Sequence, residues 1–305
     1  MSETGPVDQE LKQRFRKLSS PMDAIPTDTE SSLQKLSGIR FVMYDFYGTL
    51  FLSGVGDIGI DDGTSDAALM NDALEGAGIS LRDKKAGERS LYLYNSVVDD
   101  AVNRLRQEGI QTPEPDIREI WSTVLEHLVS ENLVGPIETA EAETAIRISV
   151  EFEARMNPVW PVDDAAATLR HLKERGLRQG IISNSQFYTP LVLEALMGKS
   201  MTELGFDRRL LHWSFKEKMK KPDIEFYRRF LDKMTAAFPE SLPNEVLYVG
   251  NDMLKDIWPA ASLGMKTALF AGDSRSLKWR KEDDRCKDLE PDVIITNFSQ
   301  LHGVV

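Results

Sequence analysis

Apolar positions along this chain fall into two textures. Short unbroken runs, rich in β-branched and aromatic residues, stand at 39–46 (IRFVMYDF), 177–185 (LRQGIISNS), 245–252 (EVLYVGND), 265–272 (MKTALFAG) and 291–298 (PDVIITNF). Each has the length and composition of a buried strand. Between them, apolar residues recur at three- and four-residue spacing, as in DDAAATLRHLKERG (163–176), TPLVLEALMG (189–198), DIEFYRRFLDKM (223–234) and DIWPAASLG (256–264), which predicts helices. Strand and helix alternate, so the pattern predicts βαβ units in a mainly parallel, doubly wound α/β sheet. The alternation breaks from about 65 to 157, where only helix periodicity is seen: SDAALMNDALEGAG, ERSLYLYNSVVDDAVNRLRQEG, DIREIWSTVLEHLVSEN and ETAIRISVEFEARM. A helical block following the first strand reads as an insertion into the α/β unit, at the strand ends where open sheets bind ligands.

The flanks are polar. Residues 52–66 carry four glycines and four aspartates and read as a loop, without the spacing of an EF-hand. Residues 1–36 predict a short helix (DQELKQRFRKL), then a loop, together a tethering arm. The division expected is therefore an arm at 1–37, an α/β core at 38–52 and 158–305, and a helical cap at 53–157, hinged at 52–66 and 157–161.

Composition narrows the function classes. The chain has 305 residues, 41% hydrophobic and 28% charged, enough apolar side chain for a sizeable core. Its formal net charge of −12 argues against non-specific binding to nucleic acid or anionic membranes. Cys286 is the single cysteine, so there is no internal disulfide and no Cys cluster for zinc, and the four histidines are scattered. No apolar run approaches the ~20 residues that span a bilayer, and MSETGPVDQE lacks a signal pattern. The expectation is a soluble cytoplasmic protein.

Candidate chemistry gathers at strand ends. Asp45 closes an otherwise apolar strand, with Gly48 and Thr49 just beyond to curl the backbone around its target. A second strand ends in Ser183 and Asn184. Lys220 and Lys221 precede Pro222 and Asp223 before a helix, and a third strand ends in Gly250, Asn251 and Asp252, with Asp256 four residues on. Each element is weak alone; their order and spacing are not.

With these residues the chain resembles the haloacid dehalogenase superfamily of hydrolases. YDFYGTLF resembles its first motif, IISNS its second, KKPDIEFY its third and YVGNDMLKDIWPAASLGMKT its fourth. The likeness covers 38–52 and 158–300; the insertion matches the family's cap in being helical and in its position. The resemblance implies that Asp45 is a nucleophile forming a covalent intermediate. It implies that Ser183, with Gly48, Thr49 and Asn184, binds substrate oxygens. Lys221 (Lys220 if the loop is shifted) would neutralise charge on Asp45 and substrate. Asp256 would orient Lys221 or a water. Mg²⁺ would be held by Asp45, the Tyr47 carbonyl and Asp252, and Asn251 or Asp252 could also cap the next helix.

Two positions pull apart. Phosphatases of the superfamily usually have Asp two residues after the nucleophile; Tyr47 stands there, and a tyrosine is a poor base at neutral pH. The dehalogenases resemble this chain at that point, since a halide leaves without a proton. In the fourth motif, however, an extra carboxylate at Asp252 beside Asp45 calls for a cation. Charge balance places Mg²⁺-dependent hydrolysis of a phosphomonoester or acyl phosphate first, with metal-independent 2-haloacid dehalogenation as the alternative and a degenerate binding module third. The partner expected is a small phosphorylated molecule. Arg82 and Arg89 are positional candidates for a substrate-binding arginine, though solvated helix positions suit them better. Tyr92, Tyr94 and Trp121 read as helix core, Phe187 and Tyr188 as pocket wall or packing, Trp258 as helix-to-sheet packing, and KWRKEDDRCKD (278–288) as a solvated face.

Overall fold

A computed structural model describes residues 5–55, 67–137 and 141–305. The chain opens with α1 (Pro6–Leu18), then β1 (Phe41–Tyr44) and β2 (Phe51–Ser53). Four helices follow: α2 (Ala67–Gly76), α3 (Ala86–Gln107), α4 (Ile117–Ser130) and α5 (Glu141–Met156). The chain returns through β3 (Val159–Pro161), α6 (Ala165–Glu174), β4 (Arg178–Ser183), α7 (Thr189–Met197), α8 (Met201–Leu204) and β5 (Phe206–Trp213). It ends with α9 (Ser214–Glu217), α10 (Ile224–Ala237), β6 (Val246–Gly250), α11 (Trp258–Ser262), β7 (Lys266–Phe270), β8 (Val293–Ile295) and α12 (Leu301–Val304).

Six strands form one parallel sheet in the order β5-β4-β1-β6-β7-β8. β1 is central and wholly buried, and its alternate residues feed two cores. Val42 and Tyr44 join the larger one, while Phe41 and Met43 pack with Phe226, Tyr227 and Phe230 of α10. This is the doubly wound α/β architecture that the alternation predicts. β5 was not foreseen from the sequence. FDRRLLHW lacks an apolar run because β5 is an edge strand, with Arg208 and Arg209 exposed in its middle.

The insertion leaves and rejoins through an antiparallel pair, β2 with β3, registering Leu52 with Trp160. Of its helices, α4 buries one stripe, whereas α5 is buried on all sides from Ile148 to Ala154. α4 is capped by Asp116, which accepts from the Arg118 N–H, and buries Ile117, Ile120, Trp121, Val124, Leu125 and Leu128. At about 1.5–3 kcal/mol per buried aliphatic side chain, this stripe rather than helix propensity holds α4 in place. Trp121 packs tilted against Tyr94 and edge-on against Phe152 at ring separations of 5.3 and 5.4 Å, whereas Tyr92 is exposed and forms no part of that core. Of the hinge expected at 52–66, residues 56–66 lie outside the described residues.

The N-terminal segment docks. Leu11 and Phe15 are buried, Lys12 pairs with Glu194 on α7, and Arg14 pairs with Glu151 on α5. Ser32 bridges Ile294 at the sheet edge. No described helix is long and apolar enough to cross a membrane.

Candidate active site

β1 ends at Tyr44, and the Asp45 N–H continues its ladder by donating to Val249 O at 2.9 Å. The chain then turns back sharply. Gly48 has φ +82°, and a Cβ there would lie 2.7 Å from Ser276 Cβ and 2.8 Å from Asn251 Nδ2, so only glycine fits. Thr49 Oγ1 donates to Asn251 Oδ1 at 2.9 Å, and Asn251 Nδ2 donates to Ser276 O at 2.7 Å. The turn after β1 is thereby fixed to the loops after β6 and β7.

Lys221 enters from the loop before α10. Asn184 holds that loop, accepting from the Lys221 N–H at 2.8 Å. Lys221 Nζ lies 2.7 Å from Asp45 Oδ1 and 2.6 Å from Asp256 Oδ1, and all three residues are buried. The Tyr248 hydroxyl sits 3.1 Å from Asp256 Oδ1 and 2.9 Å from Ile182 O. Asp256 Oδ2 accepts from the N–H groups of Asn251 and Asp252 at 3.0 and 2.9 Å. Burial would lower the Lys221 pKa, but the charges of Asp256 and Asp45 outweigh it and hold the ammonium protonated. Burial raises Asp256 to about 7, with Lys221 opposing and Asp45 and Asp252 adding to the rise. Asp256 thus lies in direct hydrogen-bond contact with the lysine.

Asp252 faces different partners. Its Oδ1 accepts from the N–H groups of Leu254 and Lys255 at 2.8 and 3.1 Å, capping the π-helical turn Met253–Ile257. Arg280 forks onto the same carboxylate, with Nη2 2.7 Å from Oδ2 and Nε 3.2 Å from each oxygen. Asp45, Asp252 and Asp256 share a cavity wall with Lys221, Lys255, Lys278 and Arg280, around a space of about 30 Å³. Among the described residues, no three His, Cys, Asp or Glu side chains converge to hold a metal ion. The expected magnesium set of Asp45, Tyr47 and Asp252 does line one cavity. Yet both Asp252 oxygens are committed to a guanidinium, and Asp256 is committed to Lys221 and two N–H groups. As arranged, the residues do not fit a resident Mg²⁺.

Tyr47 is buried, and its hydroxyl lies 3.1 Å from Thr189 Oγ1. Burial, then the charge of Glu153, pushes its ionisation well above the ordinary phenol value. It is no base at neutral pH.

Of the sequence-expected residues, Asp45, Tyr47, Asn184, Lys221, Asp252 and Asp256 line the cavity. Ser183 does not: it is fully buried, and its Oγ donates to Asn184 O at 3.1 Å. Gly48 and Thr49 stand behind the wall and shape it. Lys220 points elsewhere, 3.7 Å from Glu114. Arg82 bonds Asn132, and Arg89 bonds Glu131 at 2.8 Å; neither lines the cavity. Phe187 lies under Arg118, and the Tyr188 hydroxyl bonds Glu153, so both are packing. Trp258 packs with Met253, Ile257 and Leu269. The reading of 278–288 as a solvated face is corrected, because Lys278 and Arg280 face the cavity. Their clue was position, in a loop leaving a strand's carboxyl end.

A family model for haloacid dehalogenase-like hydrolases matches residues 39–264. The chain belongs to that family. None of the curated proteins searched matches it. Among solved structures, the 2-haloacid dehalogenase from Pseudomonas syringae is similar at 20% identity and a TM-score of 0.54, over 87% of this chain and 96% of that one. The L-2-haloacid dehalogenase from Xanthobacter autotrophicus with chloropropionic acid covalently bound is 17% identical, with a TM-score of 0.45, over 86% and 96%. The haloacid dehalogenase-type phosphatase from Thermococcus onnurineus is 17% identical, with a TM-score of 0.46, over 87% and 96%. For this haloacid dehalogenase-like hydrolase, the choice between carbon–halogen and phosphate hydrolysis rests on its own residues.

Proposed function

We propose that this hydrolase uses Asp45 as a nucleophile on small anionic substrates whose leaving group departs without a proton, with a 2-halo carboxylate as the substrate class. The observation that carries this is Tyr47. At the place two residues past the nucleophile it offers a buried hydroxyl turned to Thr189, so no acid stands there for an alkoxide.

In this reading Lys221 holds Asp45 Oδ1, leaving Oδ2 to attack the carbon bearing the halogen. The carbon–halogen bond breaks, halide leaves, and an aspartyl ester forms. Water then attacks the ester carbonyl, the hydroxy acid departs, Asp45 returns as carboxylate, and one proton is released. Lys255, Lys278 and Arg280 give the cavity a cationic side for the substrate's carboxylate. The helices of 53–157 act as a cap over the α/β unit of 38–52 and 158–305, with β2 and β3 at its root.

A second reading, acyl-phosphate hydrolysis, is favoured by these three cations together with Lys221, which suit a dianion. It keeps Asp45 as nucleophile and likewise needs no proton on the leaving group.

The test offers a 2-chloro carboxylate and an acyl phosphate to the full chain, with and without EDTA. Halide release that ignores EDTA and falls about 10⁴-fold or more in Asp45→Asn supports the first reading. Magnesium-dependent phosphate release without halide replaces it with the phosphatase expected from charge balance. Neither product across a wider panel makes the chain a binding module.

A further inference from the structure

We propose that Arg280 is a built-in counter-cation, placed so that it excludes a divalent ion from Asp252. The proposal builds on the reading of Asp45 as the reactive centre, but the exclusion itself is a property of Asp252 and Arg280.

The placement comes from the backbone. Lys278 pairs with the strand end that carries Asp252: the Met253 N–H donates to Lys278 O at 2.9 Å, and the Lys278 N–H donates to Asn251 O at 3.0 Å. In this extended stretch side chains alternate. Leu277 and Trp279 pack on the cluster of Met253, Ile257 and Leu269, so Lys278 and Arg280 face the cavity. Arg280 then takes a left-handed backbone, φ 52°, at a non-glycine position. Its fork spans both oxygens of Asp252, a side chain only 6% exposed.

The charges explain why such a group is needed. Three carboxylates share the cavity, and Lys221 serves two of them, Asp45 and Asp256. Asp252 would be left as an unpaired buried anion, the condition that a divalent ion would relieve. A guanidinium relieves it permanently, because it does not lose its proton in proteins. It also occupies the oxygens that an ion would need.

The experiment titrates the full chain with Mn²⁺ and follows free Mn²⁺ by electron paramagnetic resonance. Wild type should show no saturable uptake through Asp252. Arg280→Gln should gain one site, at least about tenfold tighter than any wild-type uptake, and the site should vanish in Arg280→Gln/Asp252→Asn. Arg280→Lys, which keeps a charge, should still exclude the ion. Circular dichroism melts identify which variants remain folded; if Arg280→Gln is unfolded, Arg280→Ala and wild type against Asp252→Asn carry the test. Stoichiometric wild-type uptake that is lost in Asp252→Asn, or a folded Arg280→Gln with no gain, overturns the proposal. None of these readouts uses turnover, so a failure of the halide assay leaves them standing.

Discussion

At the strand ends, Asp256 is buried beside an ammonium, with Lys221 Nζ 2.6 Å away and two backbone N–H groups on its other oxygen. At the root of the helical insertion, Glu153 of α5 is buried with neutral partners: the Tyr188 hydroxyl donates to it at 2.8 Å, and Asn157 Nδ2 at 3.4 Å. Burial drives both carboxyl groups up, each to about 7. The remedies differ. One carboxylate lies in a network that supplies a cation, and the other is met by dipoles alone. The first arrangement keeps charge inside the protein, as the proposed nucleophile needs. The second suits a group that can be neutral and hold a joint together, since Asn157 in turn accepts from Ser53 Oγ at 2.8 Å on β2.

Removing the cation from the first cluster should produce the largest effect. Lys221→Met leaves Asp45 and Asp256 without their shared partner. Loss of one member of a buried pair costs about 3–5 kcal/mol. Without Lys221 opposing it, Asp256 rises beyond its present value of about 7. A carboxyl raised on folding stabilises at low pH and loses that contribution as pH climbs through its folded value. Urea unfolding should therefore show a deficit that is larger at pH 8 than at pH 5. Equal stability of variant and wild type at pH 8 would show that the ammonium compensates nothing.

Removing the charge from the second cluster should act the other way. Glu153 moves from an ordinary 4.5 to about 7 on folding. Between these values the native state binds the extra proton, so wild-type stability falls as pH rises from 4.5 through 7. Glu153→Gln abolishes that slope and can still accept the Tyr188 hydrogen bond. Relative to wild type it should be unchanged at pH 4 and more stable by up to about 3 kcal/mol at pH 8. A variant destabilised equally at both pH values would mean that Glu153 keeps its ordinary value on folding, its partners just offsetting the cost of its burial.

The two clusters were not equally visible in the sequence. Asp45, Lys221 and Asp256 could be read because each stands at a fixed distance from an apolar strand or a helix start, and short-range pattern records such placement. β1, β4, β6 and β7 were legible for the same reason, being buried on both faces. β5 was not, since its edge position tolerates Arg208 and Arg209. Arg280 was hidden because its partner is 28 residues away in sequence and its neighbours mix both signs, which locally describes a surface. Glu153 was hidden because a glutamate in a helical period looks solvated; its burial is decided by Tyr188, 35 residues distant. Electrostatic roles set by long-range partners lie outside local pattern.

Tyr47 joins the two clusters: it lines the cavity with Asp45, and the charge of Glu153 adds to the rise in its pKa. Tyr47→Phe is the gentlest probe and should have the smallest effect. Thr189 Oγ1 would keep its contact with the Gln186 N–H at 3.3 Å, so the loss in stability should stay near 0.5–1.5 kcal/mol, the net worth of one hydrogen bond. If the leaving group departs unprotonated, the hydroxyl has no part in bond breaking. The variant's kcat should then stay within about threefold of wild type, with the alkaline limb of the pH profile unmoved. A fall of about 100-fold in kcat at constant KM, with that limb displaced, would make Tyr47 a proton donor. The cavity would then carry an acid after all, supplied by the hydroxyl whose ionisation burial and Glu153 suppress, and the preference for halide over an alcohol as leaving group would reverse.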